Sequence, residues 1–375
     1  MRRRDYLKTA GVGAAGLLTA GCLQVEQSDQ SGESTDTTTA GGTTTDTTST
    51  TSEPTGPLTI ATYDSFFGDE GTAGRWLKDQ WEADHDTEIE FTAPSNGVNE
   101  FIQRKDQNAG IDADLFVGLN TPDLVRVDES LPDADLFDDL RADLDNDGAV
   151  KESLEVDPDN RVVAYDTGYI TPVYDSTEVD DPETFDALLE PAYEGTLLAE
   201  NAQSSDPGLA FLLWTIHEKG PDGYLDYWEG LLDNDVRVLD DWSPAYNAFL
   251  EGERPMVVSY STDQVYYNSE EELPRHQVSF LNDQGYANPE TVGRFADSDQ
   301  PETAADFVDF VLTDEAQANI AQKNVQIPAT TTASLPEGYA EYAKEPPEPV
   351  TFTYEELAGN LSEWTESWAQ LVASN

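Results

Sequence analysis

The stretch RPMVVSYSTDQVYY, Arg254 to Tyr267, decides how this chain is read. Met256–Val258 is a short apolar run of the kind that forms a strand buried in a sheet, and Tyr260 falls where that strand meets a turn. Ligands of open α/β sheets bind at strand ends, so residues 260–266 occupy the right topological place for a site. Just upstream, WSPAYNAFLEGE (242–253) adds Trp242 to the same neighbourhood. Aromatic faces carry negative quadrupoles, and a set of them turned inward makes a desolvated seat for a flat cation. The same rings also suit an ordinary apolar core.

Working outward, strand and helix patterns alternate. LTIATY (58–63) precedes helical spacing through Trp76, Leu77 and Trp81; EIEFTA (88–93) and ADLFVG (113–118) read as strands with a helix over 98–106 between them. This is the pattern of βαβ units on a parallel sheet. A second set follows with strands at GYITPVYD (168–175), GTLLA (195–199), VRVL (236–239) and PMVVSY (255–260), and helices over 207–219 and 224–232. Helices return over 302–312 and 315–322, and a terminal one aligns Leu357, Leu361, Trp364, Trp368 and Leu371 on one face. The expectation is an α/β protein of two lobes whose chain crosses between them more than once, one lobe from 58–165 plus 281–375 and the other from 166–280.

The N-terminus reads as an address. Arg3-Arg4-Asp5-Tyr6-Leu7-Lys8 resembles a twin-arginine export signal, and Leu18-Thr19-Ala20-Gly21-Cys22 resembles a lipobox. Residues 1–22 are thus expected to be a lipoprotein signal peptide ending at Cys22, the one cysteine of the chain and its lipid attachment point. Residues 23–57, rich in Thr, Ser, Gly and Asp, cannot bury enough apolar surface to offset their conformational entropy and are expected to be a disordered tether. The protein is then expected at the extracellular face of the cell membrane, lipid-anchored and monomeric.

Asp and Glu number 76 against 19 Lys and Arg, a formal charge of −57. Such a surface repels phosphate backbones and argues against nucleic-acid partners. With 16 Tyr, 14 Phe and 7 Trp the chain has the core of a folded protein, so the acidity fits a solvated skin suited to high salt. At molar salt the Debye length is about 3 Å, and the charge would not steer a cation from afar.

Other motifs are weaker. Ser204-Ser205-Asp206-Pro207 opens a helix, with Ser205 or Asp206 able to cap it, and its free N–H groups could seat an anion or a hydroxyl. A phosphate fits poorly there because the Asp206 charge already occupies the positive end. Asp143, Asp145, Asp147 and Gly148 match the start of a calcium loop, but the twelfth position is Leu154 where a bidentate glutamate is required. His85, His217 and His276 lack metal-ligand spacing, and the chain holds no nucleophile elbow, zinc-protease or phosphate-loop motif. No cofactor and no bound metal are expected.

Taken in order, TYDSF (62–66), NGV (96–98), ADLFVGL (113–119), DTGY (166–169), SSDPGLAFLLW (204–214), WSPAYNAFLEGE, VVSYSTDQVYY (257–267) and EWTESW (363–368) resemble the thiamine-binding periplasmic proteins and lipoproteins of ABC importers. The resemblance implies a bilobal, type II solute-binding fold, two α/β lobes closing on a ligand, with no enzymatic activity. It further implies capture of thiamine or its phosphates and delivery to an ABC transporter permease. By the same resemblance, Tyr63, Asn96 and Gly97 line one wall, with Ser205 and Asp206 at the helix start; Asp64, beside Tyr63, is either a further contact or purely structural. Trp242 lies on the opposite wall, and Tyr260, Ser261, Thr262, Asp263 and Gln264 form the strand-end turn, with Tyr266 beyond. Two positions depart from the family pattern: Asp206 replaces a hydroxyl, which disfavours phosphate, and Val325 stands in NVQIP where a tryptophan is expected.

Two other functions fit parts of the sequence. Tyr266-Tyr267 would suit a ferric iron carrier, and a polyamine is the other alternative ligand for a solute-binding protein. A thiamine-degrading enzyme of related fold needs a cysteine nucleophile, and none follows Cys22.

Overall fold

The computed structural model describes residues 56–375; the expected signal peptide, Cys22 and residues 23–55 of the expected tether lie outside the described residues. The first lobe begins with β1 (Leu58–Ala61), the one-turn α1 (Asp64–Phe67), α2 (Ala73–Asp84), β2 (Ile89–Thr92), α3 (Val98–Asp106), β3 (Leu115–Leu119) and α4 (Thr121–Ser130). β1 pairs in parallel with β2 and β3, as the apolar runs separated by helical spacing require.

The chain then crosses on β4 (Val162–Tyr174), 13 residues buried end to end. The sequence reading began this strand only at Gly168. Asp166 and Thr167 break its apolar pattern, yet both are fully buried here. The second lobe holds β5 (Leu197–Glu200), α5 (Asp206–Lys219), α6 (Tyr224–Asp233), β6 (Arg237–Leu239), α7 (Trp242–Leu250) and β7 (Met256–Tyr260), again with parallel β5–β6 and β5–β7 pairs. After β8 (Gln277–Val278) the chain returns on β9 (Gln284–Arg294), antiparallel to β4 from Val162↔Gly293 to Ile170↔Tyr286.

Sequence reading did not place β9, because Asn288 and Pro289 sit in its middle. Proline lacks the N–H a central strand needs. Residues 291–294 pair with β3 and 284–286 with a later strand, so Pro289 falls in a stretch that has β4 on one side only. Downstream come α8 (Pro301–Val311), α9 (Asp314–Ile320), a π-turn over Ala321–Val325, β10 (Ile327–Pro328), α10 (Tyr339–Tyr342), β11 (Glu348–Val350), α11 (Tyr354–Leu357) and α12 (Leu361–Ser374). The whole forms one hydrogen-bonded sheet ordered β2-β1-β3-β9-β4-β7-β5-β6.

Two apolar clusters lie at its ends. One gathers Ile60, Phe66, Trp81, Leu115 and Phe307; the other gathers Phe185, Phe211, Trp214, Trp228 and Met256. Each such side chain contributes roughly 1.5–3 kcal/mol on burial. Residues 354–375, grouped with the first lobe on sequence, have Leu357, Leu361 and Trp368 in the second cluster, Trp368 edge-on to Trp228 at 5.3 Å. The apolar face of α12 was legible, but not which lobe it would cover.

Candidate functional site

The aromatic stretch folds into two layers. α7 opens at Trp242, whose N–H is capped by the Asp241 carboxylate, and its indole stacks on Tyr246 at 4.7 Å and 21°. The indole N–H donates to Ser259 Oγ at 3.1 Å, which fixes the ring against β7, and Tyr260 meets it edge-on at 6.5 Å. Beneath lies the inner layer. Tyr246 donates to the buried carboxylate of Asp263, whose other oxygen is 2.6 Å from His276 Nδ1, and the His276 ring stacks on Tyr267 at 3.8 Å. Tyr246 and Tyr267 are therefore core, while Trp242, Tyr260 and Tyr266 are half-buried and form the outer layer. Asp263 organises this stack from below. Ser261 is likewise committed inward, donating to the Lys344 carbonyl at 2.5 Å, and Thr262 and Gln264 are buried.

A second group gathers where β4 and β9 cross. A bulge between Ala164 and Asp166 lets consecutive residues Tyr165 and Asp166 turn toward Glu290, the register partner of Asp166 on β9. Tyr63 and Tyr165 both donate to Glu290 Oε2, at 2.6 and 2.5 Å. Asn324 donates to Tyr63 Oη at 3.0 Å and to Asp166 Oδ2 at 2.8 Å. Burial, with Glu290 beside it, pushes the Asp166 carboxyl well above the usual range, and the same causes raise both phenols.

Two glycines make room for rings at this crossing. A Cβ on Gly118, whose φ is +101°, would stand 2.6 Å from the Tyr63 ring, and one on Gly168 would stand 2.7 Å from Tyr260. Asn324 rides on the π-turn, and the next residue, Val325, has φ +57°. A β-branched residue in the left-handed region is strained, by on the order of 1–3 kcal/mol. The turn so formed aims Asn324 at Asp166 and Tyr63.

The start of α5 supplies a third group. Ser205 is the N-cap residue by position, but it makes no capping bond; its buried Oγ has no hydrogen-bond partner. Glu200, at the end of β5, is 1% exposed and neither carboxylate oxygen has a partner from another residue; burial, with Asp241 nearby, raises it well above the usual range. Asp206 is solvent-exposed yet crowded by protein. That crowding, together with Asp123 and Glu290, raises its carboxyl to about 7 against the opposing Arg126. Asp123 and Arg126 belong to α4 and Glu290 to β9, so Asp206 faces acidic groups contributed from outside its own lobe.

The remaining expected residues are less engaged. Asp64 is exposed at the start of α1, and Asn96 and Gly97 form the exposed turn before α3. Among the described residues no group of three or more His, Cys, Asp or Glu could hold a metal ion. Two of the three calcium-like aspartates are taken by arginines: Asp143 pairs with Arg294 at 2.8 Å and Asp147 with Arg141 at 2.8 Å. A shallow recess of about 290 Å³, lined by Leu273, Phe280 and Lys344 among others, shares only Gln264 with the expected site. Sequence reasoning did not name Tyr165, Asp166, Glu290 and Asn324 of the crossing, nor the buried Gln326, whose Oε1 lies 2.6 Å from where a Cβ on Gly168 would stand. Of these, Asp166, Asn324 and Gln326 lay within quoted motifs, and Glu290 carried no signal at all in so acidic a chain.

Residues 76–347 match the model of the bacterial extracellular solute-binding proteins. The chain belongs to that family. Within it, the chain is 30% identical over 320 residues to the thiamine-binding periplasmic protein of Salmonella typhimurium, covering 84% of this chain and 93% of that one. The Escherichia coli protein of the same name gives the same figures. A solved periplasmic thiamin binding protein superposes with a TM-score of 0.72 at 28% identity, over 84% of this chain and 96% of that one. The ferric binding protein of Campylobacter jejuni reaches 0.68 at 15% identity, covering 84% of this chain and 99% of that one, a likeness of fold alone. The architecture is the bilobal type II one, and the relatives are solute-binding proteins rather than enzymes. Among the described residues no helix is long and apolar enough to cross a membrane.

Proposed function

We propose that this protein captures thiamine in a cleft between its lobes and hands it to an ABC transporter permease, while held to the outer face of the membrane by a lipid on Cys22 after twin-arginine export. The observation that carries the reading is the junction of an aromatic wall with a set of carboxylates. Trp242 meets Tyr260, Tyr260 lies over Gly168, and two residues away Asp166 faces Glu290. A thiazolium ring is a flat quaternary cation, which suits the faces of Trp and Tyr. The thiamine-binding relatives supply the choice among flat cations.

Ferric iron is less well served. Its tyrosine ligands act as tyrosinates, and of the Tyr266-Tyr267 pair that would suit it, Tyr267 lies in the core, stacked on the His276 ring at 3.8 Å. One titration in molar KCl with thiamine, its phosphates, spermidine and ferric ion tests the proposal. Saturable quenching of tryptophan fluorescence by thiamine supports it, and tighter binding of spermidine or iron would replace it.

Trp242→Ala should weaken thiamine binding by roughly 1–2 kcal/mol, the value of a partly desolvated cation–π contact. The variant should also lose the ligand-dependent quenching. An unchanged affinity removes Trp242 from the site.

The carboxyl of Asp206 gives a pH dependence. Its pKa is raised to about 7, so the group is mostly neutral below that pH and anionic above it. Ionisation repels a phosphate and attracts a cation, so the preference for thiamine over thiamine phosphate should grow as pH rises from 6 to 8. Asp123, Arg126, Glu290 and Asp241 are the charged groups around it, and they set the midpoint. A preference that stays flat over this range, or one that Asp206→Asn leaves equally steep, would refute the assignment.

A further inference from the structure

Two buried side-chain oxygens, one on β4 and one just before β10, lack a hydrogen-bond partner. Asp166 is fully buried; Asn324 serves its Oδ2, and Oδ1 has no hydrogen-bond partner. Gln326, 6% exposed, leaves its Oε1 without one as well. Buried polar groups are nearly always paired, so two orphans together point to a missing partner.

Both lie over the same face of β4. Side chains at 166 and 168 share a face by the two-residue period of a strand, roughly 7 Å apart along it. Position 168 is a glycine, and the space its Cβ would fill is taken by the Gln326 amide, 2.6 Å away, and by the Tyr260 ring. On the other side, Tyr63 is tied to Asp166 through Asn324. Two aromatic rings thus frame a short polar row.

We propose that Asp166 Oδ1 and Gln326 Oε1 read the edge of a nitrogen heterocycle, pairing with the exocyclic amine and the adjacent ring nitrogen of an aminopyrimidine. The assignment rests on the thiamine reading above and adds to it the groups that select the ring. Gln326 Oε1 accepts from the amine. Asn324 donates to Asp166 Oδ2, which leaves Oδ1 as the atom to carry the proton that burial and Glu290 favour, and that O–H donates to the ring nitrogen. A donor beside an acceptor matches an aminopyrimidine edge and mismatches its oxo analogue, in which the order is reversed.

The test is calorimetry of the intact protein in molar KCl with three probes: thiamine; oxythiamine, in which an oxo group replaces the amine; and pyrithiamine, which keeps the aminopyrimidine but carries a pyridinium. Thiamine and pyrithiamine should bind within about tenfold of each other and oxythiamine at least ~100-fold more weakly, since a site built to hydrogen-bond a group strongly rejects an analogue lacking it. In Gln326→Met and Asp166→Ala, thiamine should weaken by about ten- to a hundredfold and its advantage over oxythiamine should shrink to about threefold. Circular dichroism and melting checks that each variant is folded; if one is not, the wild-type comparison still decides. Equal affinity of the wild type for thiamine and oxythiamine, or a full gap kept by both folded variants, overturns the edge reading and leaves thiamine capture standing. Failure of all three probes to bind overturns both.

Discussion

Alanine at Gly168 should empty the cleft while leaving the fold intact. The residue lies in the middle of β4, fully paired with β9 through Gly168↔Asn288, and its φ is not in the left-handed region that glycine alone tolerates. The backbone therefore accepts alanine, and the loss of chain entropy in the unfolded state should add roughly 0.4–1 kcal/mol of stability. The new methyl, however, would lie 2.6 Å from Gln326 Oε1 and 2.7 and 2.9 Å from the Tyr260 ring. Both must move, and both are proposed to touch the ligand. Overpacking of this kind costs about 1–3 kcal/mol of folding stability, more than the entropy gain returns, so the variant should melt somewhat lower; affinity for thiamine, which needs both groups in place, should fall roughly ten- to a hundredfold. Titrating the variant by tryptophan fluorescence, with a melt in parallel, gives both numbers. If affinity held, Tyr260 and Gln326 would stand outside the site; a loss of stability well beyond about 3 kcal/mol would show the glycine to be serving the fold.

The contrast between what was legible and what was hidden follows from this chain's composition. Helices over 98–106, 207–219 and 224–232 were readable because apolar spacing is a local signal, and the parallel pairs around β1 and β5 followed from their alternation with helices. The two crossing strands were read short or missed, because their polar residues serve the crossing rather than the sheet. Asp166, Thr167, Asn288 and Glu290 carry the wrong pattern for a core strand. The aromatic turn was visible, but its layering was not: nothing in the sequence says that Asp263 props Tyr246 from beneath while Trp242 faces outward.

Acidity hid the carboxylates that matter. With 76 Asp and Glu, one more glutamate at 290 is unremarkable, and the excess was assigned to the solvent. That assignment suits exposed charges, which molar salt screens within about 3 Å. It does not extend to Asp166 or Glu200, which are buried where salt cannot reach. In such a chain burial, not charge, separates a carboxylate with a specific role, in the proposed site or in the fold, from a solvated one.

Burial also sets the largest stability effect expected here, at Arg161. Its guanidinium donates to Asp157 Oδ1 at 2.9 Å and to Asp128 Oδ1 at 2.6 Å, and its backbone N–H donates to Asp157 Oδ2 at 2.6 Å. Burial opposes the charge on Arg161, but the two carboxylates outweigh it and hold the guanidinium above its ordinary pKa. The Asp157 side chain is 1% exposed, so removing Arg161 leaves a buried carboxylate without its countercharge. Breaking such a pair from one side costs about 3–5 kcal/mol. The position amplifies the loss, because Asp128 also accepts from Tyr354 at 2.5 Å, and Tyr354 leads into the C-terminal segment that covers the second cluster. Arg161→Ala should therefore lower the urea midpoint sharply, and should do so in molar KCl as much as in dilute salt, since screening acts on exposed pairs. Adding Asp157→Asn should restore a good part of the loss by removing the stranded charge. A loss under about 1 kcal/mol, or one that molar KCl erases, would class this as a surface pair and leave β4 held at its start by packing and its pairing with β9.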